Sequence, residues 1–178
     1  MSNKVELFDA YDINENKLDI DLIRGQKHKE GLYHLVVDIF TINEKGELLV
    51  TKRHPMKTFP LHWETSGGSV LKGETIYQGA IRELKEETGI MVEENDLQLF
   101  YKDTSDDRLY RGFLTFINMQ DQTIILQEGE TVDYKWIPLN IFEQFISEDL
   151  FVTTLKERFI KNKETFYKYV RSTLPKSG

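Results

Sequence analysis

The segment from Gly68 to Ile90 limits what this chain can fold into more than any other. Its second half predicts an α-helix with both ends marked. Thr75 is a good N-cap. Gln78, three residues later, completes a capping box in which each side chain accepts from the other residue's otherwise unpaired backbone N–H. Gly89 is the natural stop, because helices commonly end on a left-handed residue and glycine carries no Cβ penalty there. Between these marks Ile76, Ala80, Leu84 and Thr88 recur at every fourth position and give one apolar stripe that can face a core.

The other face breaks two rules at once. Glu83, Glu86 and Glu87 are related by i,i+3 and i,i+4, so their carboxylates meet on one side, and each like-charge pair costs an isolated helix roughly 0.2–0.5 kcal/mol. They also fall in the last turns, where the helix dipole disfavours anions. Arg82 and Lys85 offset this only in part. Local rules broken together suggest a functional site. The simplest compensation is a divalent cation, and carboxylate oxygens suit Mg²⁺ or Mn²⁺. A solvated acidic face is the plainer alternative.

The rest of the chain reads as one domain over residues 1–178. That length can bury roughly 70% of the unfolded surface, so no covalent staples are needed. The absence of cysteine excludes disulfides, thiolate metal sites and a cysteine nucleophile. A formal net charge of −7 argues against a nucleic acid polymer as partner. No apolar run reaches membrane-spanning length and the first residues lack a signal-peptide core, so the expectation is a cytoplasmic protein without a membrane partner.

Alternation of apolar residues predicts a β-hairpin over about residues 3–24, turning at Asn14 to Asn16. Strands follow at Leu32 to Ile42 and Glu47 to Arg53, then an irregular segment marked by Pro55 and Pro60. Beyond the helix, strands are predicted at 97–101, 109–118, 123–126 and 131–137. Two helices are predicted within about residues 140–172, with a break near 147–149. This order implies an α/β or α+β fold.

Gly68, then Glu74, then Arg82-Glu83-Leu84 with Glu86, Glu87, Gly89 and Ile90 at fixed spacing resembles the signature of the Nudix hydrolase superfamily, with every specified position filled. Long mixed motifs of this kind are far more specific than short glycine patterns. The resemblance implies a mixed β-sheet sandwiched between α-helices, with the motif forming a loop–helix–loop against it. It also implies hydrolysis of a diphosphate linkage in a small nucleoside diphosphate derivative, by attack of water at phosphorus with Mg²⁺ or Mn²⁺. By match to the motif, Glu86 and Glu87 are metal ligands, and Glu83 is a ligand or the general base. The Gly67 carbonyl is a further ligand candidate, and Glu130, in the late loop, a recruited one. Arg82 joins the catalytic set as the residue that can pin Glu86 at i,i+4, a surface ion pair being the alternative. Gly68, Glu74 and Gly89 are structural members of the motif. Lys52, Arg53 and Lys57 gather before it and are candidates for substrate phosphates. Trp63 could stack on the substrate or pack in the core.

The N-terminal hairpin, Gly31-x-Tyr33-His34 and the run from Lys52 to Trp63 resemble the isopentenyl diphosphate isomerase side of that superfamily. Those isomerases use a cysteine before the helix, and Gly67 stands there in this chain. Hydrolase is therefore the leading reading. An isomerase-like enzyme and a non-catalytic binding module of the same fold are the alternatives, and a homodimer is left open.

Overall fold

The computed structural model describes residues 5–148 and 150–174. Its centre is strand β3 (His34–Ile42), whose run of Leu, Val, Ile and Phe is buried on both faces, as a central strand requires. β3 runs parallel to β8 (Arg108–Phe116), from His34 opposite Arg108 to Ile42 opposite Phe116, and β8 pairs antiparallel with β7 (Leu97–Ser105). The other edge of β3 is shared. β4 (Glu47–Arg53) meets it only at the hairpin end, Ile42 opposite Leu48. Farther along, β6 (Ser66–Ser69) takes Val36 to Ile39. β4 diverges from β3 and carries β5 (Trp63–Glu64) on one edge and β9 (Thr131–Pro138) on the other. The sheet is thus split, and the chain crosses the split at Thr65, between β5 and β6.

Alternation along β3 sends Val37 and Ile39 to one face and Asp38, Phe40 and Ile42 to the other. The first face packs on helix α1 (Ile76–Thr88) through Val70, Ala80, Leu84, Ile90 and Phe113. The second packs on α2 (Phe142–Glu148) and α3 (Thr153–Thr173). Phe40, Phe100, Phe159 and Phe166 form its centre, with ring centroids 5.2–5.7 Å apart. Such aromatic pairs add about 0.5–1.5 kcal/mol each beyond their area. The expected mixed sheet between helices is therefore observed. Among the described residues no helix is long and apolar enough to cross a membrane.

The predicted hairpin is β1 (Leu7–Tyr11) with β2 (Lys17–Ile23), and Tyr11 bridges to Tyr33 at the entry to β3. Residues 3–4 of that prediction, and Asp149 in the predicted helix break, lie outside the described residues. Three expectations need correction. Residues 123–126 are not a strand: they lie along the end of α1, where the Ile125 N–H donates to the Thr88 carbonyl at 2.8 Å. β7 runs on to Ser105, because its pairing with β8 continues to the turn. The glycine-bearing segment after Pro60 is not wholly irregular, since β5 and β6 find partners on β4 and β3 that no local pattern announces.

One buried polar network ties α3 to the sheet. Arg158 donates to Asp38 from Nε at 2.9 Å and from Nη2 at 3.2 Å, and the Tyr101 hydroxyl donates to the same carboxylate. The guanidinium lies 3.7 Å from the Tyr110 ring centroid. Burial, and then the Asp38 charge, pushes the Tyr101 hydroxyl pKa up, so the phenol stays protonated as the donor. Arg158→Ala leaves the Asp38 carboxylate buried without its cation, which typically costs about 3–5 kcal/mol. Lys161 also ion-pairs from α3, to Asp103 at 3.1 Å, but is exposed; its removal should cost under about 1 kcal/mol. Urea denaturation of Arg158→Ala and Lys161→Ala should separate the two, and equal losses would mean that the network contributes no more than a surface pair.

Candidate active site

Helix α1 forms as its caps dictate. Thr75 Oγ1 accepts from the Gln78 N–H at 3.1 Å, and Gln78 Oε1 accepts from the Thr75 N–H at 2.9 Å. Gly89 ends the helix at φ 76° and donates to the Lys85 carbonyl at 2.9 Å. The acidic face is not a solvent face. Glu83 and Glu87, one turn apart, are buried with Ala80 and Leu84, while the Glu86 side chain stays half-exposed. All three line one cleft of about 390 Å³, together with Gly67, Gly68 and Arg82.

β6 forms the opposing wall and explains its glycines by close approach. A Cβ on Gly68 would fall 2.4 Å from the Glu83 carboxyl carbon. One on Gly67 would fall 2.3 Å from the Val37 carbonyl oxygen. With no side chain in the way, the Gly67 N–H donates to Glu87 Oε2 at 3.2 Å. Burial pushes the Glu87 carboxyl well above its usual range, and the neighbouring Glu64 and Glu83 charges push it further. No lysine or arginine is ion-paired to Glu87 among the described residues. Burial also raises Glu83, against the pull of Arg82.

Arg82 organises this wall. Its Nε and Nη2 donate to Glu74 at 2.6 and 3.0 Å, Nη1 to Glu83 at 2.8 Å and Glu86 at 3.3 Å, and Nη2 also to the Ser69 carbonyl at 3.0 Å. One planar fork therefore joins the loop before the helix, the helix face and β6, which a point charge could not do. Burial alone would lower the Arg82 pKa, but its bonds to Glu74 and Glu83 raise it. Burial would raise Glu74, yet the Arg82 bond and the Leu71 N–H hold it below the usual carboxylate range.

The rim comes from three loops. Lys57 pairs with Glu130, and the His54 N–H donates to the Glu130 carbonyl at 3.0 Å, so these two sequence-predicted residues meet at the cleft. Arg53 also lines it, but its donors are committed: Nη1 to both Glu64 oxygens at 2.9 and 2.7 Å, Nε and Nη2 to Thr58. Lys52 and Trp63 are not brought to the cleft. Side chains alternate along β4, so Lys52 faces away from Arg53 and lies over the Trp63 ring, 5.3 Å from its centroid. Trp63 is buried against Phe145 of α2.

Sequence reasoning missed Arg24 and Glu6, which the N-terminal hairpin adds to the cleft. The hairpin is latched to the loop before α1. The Lys72 N–H donates to the Leu7 carbonyl at 2.8 Å and the Gly73 N–H to Asp9 at 2.8 Å, while Lys72 pairs with Asp21 at 2.7 Å. The latch is visible only in three dimensions. Glu64, half-buried on β5, was missed because that strand has only two residues.

The site is a loop–helix–loop whose carboxylates face a split mixed sheet, and comparison with known proteins agrees. Residues 32–157 match the family model of the NUDIX domain, and the chain belongs to the Nudix family. It is 33% identical over 132 residues to an uncharacterised Nudix hydrolase of Listeria monocytogenes, covering 73% of this chain and 78% of that one. A crystal structure of a Deinococcus radiodurans protein superposes with a TM-score of 0.70 at 20% identity, covering 88% and 99% of the two chains. The bifunctional NMN adenylyltransferase/ADP ribose pyrophosphatase of Francisella tularensis, complexed with AMP and a manganese ion, gives 0.59 at 23% identity over 75% of this chain and 42% of that one.

If Gly68 is required because Glu83 lies against it, their substitutions must couple. Gly68→Ala should cost about 1–3 kcal/mol by overpacking. Most of that cost should vanish in a Glu83→Ala background, giving an interaction energy above about 1 kcal/mol in a double-mutant cycle. Additive stabilities would show that the close approach does not govern this position.

Proposed function

We propose that this protein hydrolyses the diphosphate linkage of a small nucleoside diphosphate derivative or related diphosphate, and does so with Mg²⁺ or Mn²⁺. The observation that carries the reading is Glu87. Its carboxylate is buried, beside Glu64 and Glu83, and accepts one backbone N–H. A buried carboxylate without a cation is costly, and the hard oxygens around it suit a divalent ion. The donor set therefore fits the metal that the family implies. Glu86 and Glu87 would hold it, with the Gly67 carbonyl as a further ligand and Glu130 as an additional acid from the rim. When bound, the ion lowers the pKa of water and stabilises charge on the transferring phosphoryl group.

Glu83 takes the proton from the attacking water. Burial raises its pKa toward the range useful for a base, and the Arg82 fork holds one oxygen while fixing the side chain. Lys57 and Arg24 meet the phosphates from the rim. Arg53, whose donors are taken up by Glu64 and Thr58, shapes the loop that carries Lys57 rather than binding substrate directly. Gly67 at the cysteine position of the isomerases supports hydrolysis over isomerisation.

A panel of nucleoside diphosphates, nucleotide sugars, dinucleotides and prenyl diphosphates, assayed with each metal, tests the activity. On the best substrate Glu83→Gln should lower kcat by about 10²–10⁴-fold at saturating metal; a kcat within a few-fold of wild type removes Glu83 from the mechanism. Conversion of isopentenyl to dimethylallyl diphosphate at an enzymatic rate would overturn the hydrolase reading.

Metal linkage gives a second check. Mn²⁺ should raise the melting temperature of the wild type. Glu87→Gln should raise the metal-free melting temperature, since it removes a buried charge, and abolish most of the Mn²⁺-dependent rise. An unchanged rise in that variant would place the ion elsewhere.

A further inference from the structure

We propose that Arg108 and Phe59 decide which diphosphates this protein accepts, by holding the substrate's far end as a single planar ring that bears hydrogen-bond acceptors, a nucleobase. The inference rests on the proposed diphosphate chemistry. A second cavity, of about 230 Å³, adjoins the α1 cleft along β6. Gly67, Gly68 and Ser69 line both cavities, as do Arg53 and Thr58. The two glycines place no side chain at this border, so a molecule with its diphosphate against Glu83 and Glu87 can extend into the second cavity.

Two independent features of the second cavity point to a ligand. The first is Arg108, which opens β8. Asp107 Oδ1 stands 3.9 Å from its Nε, too far for a hydrogen bond, and the side chain is half-exposed. Among the described residues every other cation lining either cavity is already paired with a carboxylate: Arg158 with Asp38, Arg53 with Glu64, Lys57 with Glu130, Arg24 with Glu6 and Arg82 with Glu83. The second feature is Phe59. Its backbone is left-handed at φ 53°, which costs about 1–3 kcal/mol in a residue of this kind. Arg53 fixes the preceding residue, donating to the Thr58 carbonyl at 2.6 Å and its hydroxyl at 3.1 Å. The turn leaves the Phe59 ring 40% exposed at the cavity. Strain of this kind gathers at ligand clamps.

The lining defines the class of ligand. Val36, Tyr110, Val152 and Leu155 supply apolar surface against which a flat ring can lie. The carboxylates of this cavity, Asp38 and Glu64, are taken by Arg158 and Arg53, so the hydroxyl donors of a sugar meet no free carboxylate there. Arg108 offers donors instead, and a guanidinium suits the ring nitrogens and carbonyl oxygens of a base. A prenyl tail would leave those donors unanswered. The volume is below the roughly 300–1,000 Å³ of pockets that take drug-sized ligands, which leaves room for one ring and none for a long chain or a second nucleoside.

Binding separates this proposal from catalysis. Adenosine, guanosine, cytidine and uridine 5′-monophosphates carry the base without a diphosphate bond to cleave, and ribose 5-phosphate is the base-free control. In calorimetry on chelator-treated protein, at least one of these nucleotides should bind about tenfold or more tightly than ribose 5-phosphate. Arg108→Ala and Phe59→Gly should each erase most of that advantage and leave the affinity for ribose 5-phosphate unchanged. Glycine suits the left-handed turn, so Phe59→Gly should still fold, which its melting temperature checks. On a nucleoside diphosphate substrate both variants should raise KM by about tenfold and keep kcat within a few-fold of wild type. Equal affinities for the nucleotides and ribose 5-phosphate, or an advantage that survives in both variants, overturn the proposal. A base-dependent affinity that the variants lose, in a protein that cleaves no diphosphate, would uphold the cavity's role and refute the hydrolase reading.

Discussion

Burying a carboxylate costs several kcal/mol unless charge or hydrogen bonds compensate, and α1 buries two of them, Glu83 and Glu87. Much of the surrounding structure answers that cost. Glu83 is met by the Arg82 fork, which is itself held by Glu74 and the Ser69 carbonyl. Among the described residues Glu87 is met only by a backbone N–H and, on the proposed function, by a divalent ion. The glycines of β6 bring strand and helix close enough for both arrangements. Arg82 reaches Glu83 and Glu86 as well as Glu74, so a change at Arg82 would disturb all three carboxylates together.

This arrangement needs a rigid frame, because carboxylates that can swing into water would escape the burial. The frame is the doubly covered strand β3, with α1 on one face and the phenylalanine cluster of α3 on the other. Asp38 is one residue from Val37, whose carbonyl packs against Gly67, and it carries the Arg158 and Tyr101 bonds on the far face. The same strand thus anchors the C-terminal helix and backs the glycine wall. The N-terminal hairpin adds a third fixed element through its latch to residues 72–73.

The helix was legible in the sequence because its information is local: Thr75, Gln78 and Gly89 fix its ends whatever lies around it. The same holds for the β1–β2 hairpin and for β4. The fate of the acidic face was not local. Spacing places Glu83, Glu86 and Glu87 near one another, yet only the packing of β6 decides that two are buried and one is not. β5 and β6 were missed because such short strands, one of them with two glycines, carry no alternation to read and exist only through partners distant in sequence. The same gap hid Arg24 and Glu64. Lys52 illustrates the reverse case: proximity in sequence to Arg53 suggested a common role, and strand alternation sends it to the opposite face, over Trp63, which takes the core alternative read for it.

Charge balance at the rim limits how the diphosphate of the proposed function could be held. Arg82 is bound by three glutamates, Arg53 by Glu64, Lys57 by Glu130 and Arg24 by Glu6. Each cation of the cleft therefore already faces an anion, and the chain as a whole is acidic, with a net charge of −7. A polyanionic substrate entering such a cleft meets no free positive field. It must either exchange partners with the rim pairs or bring its charge to a metal. The rim pairs differ in how readily they exchange. The Arg53 and Glu64 side chains are only 13% and 17% exposed, and separating them would leave two poorly solvated charges unpaired. Glu130 and Glu6 are half-exposed, at 45% and 42% of their side chains, and can turn to water at lower cost. Lys57 and Arg24 are thus the cations that can be released to a phosphate, one from each side of the cleft, while Arg53 is held where it is.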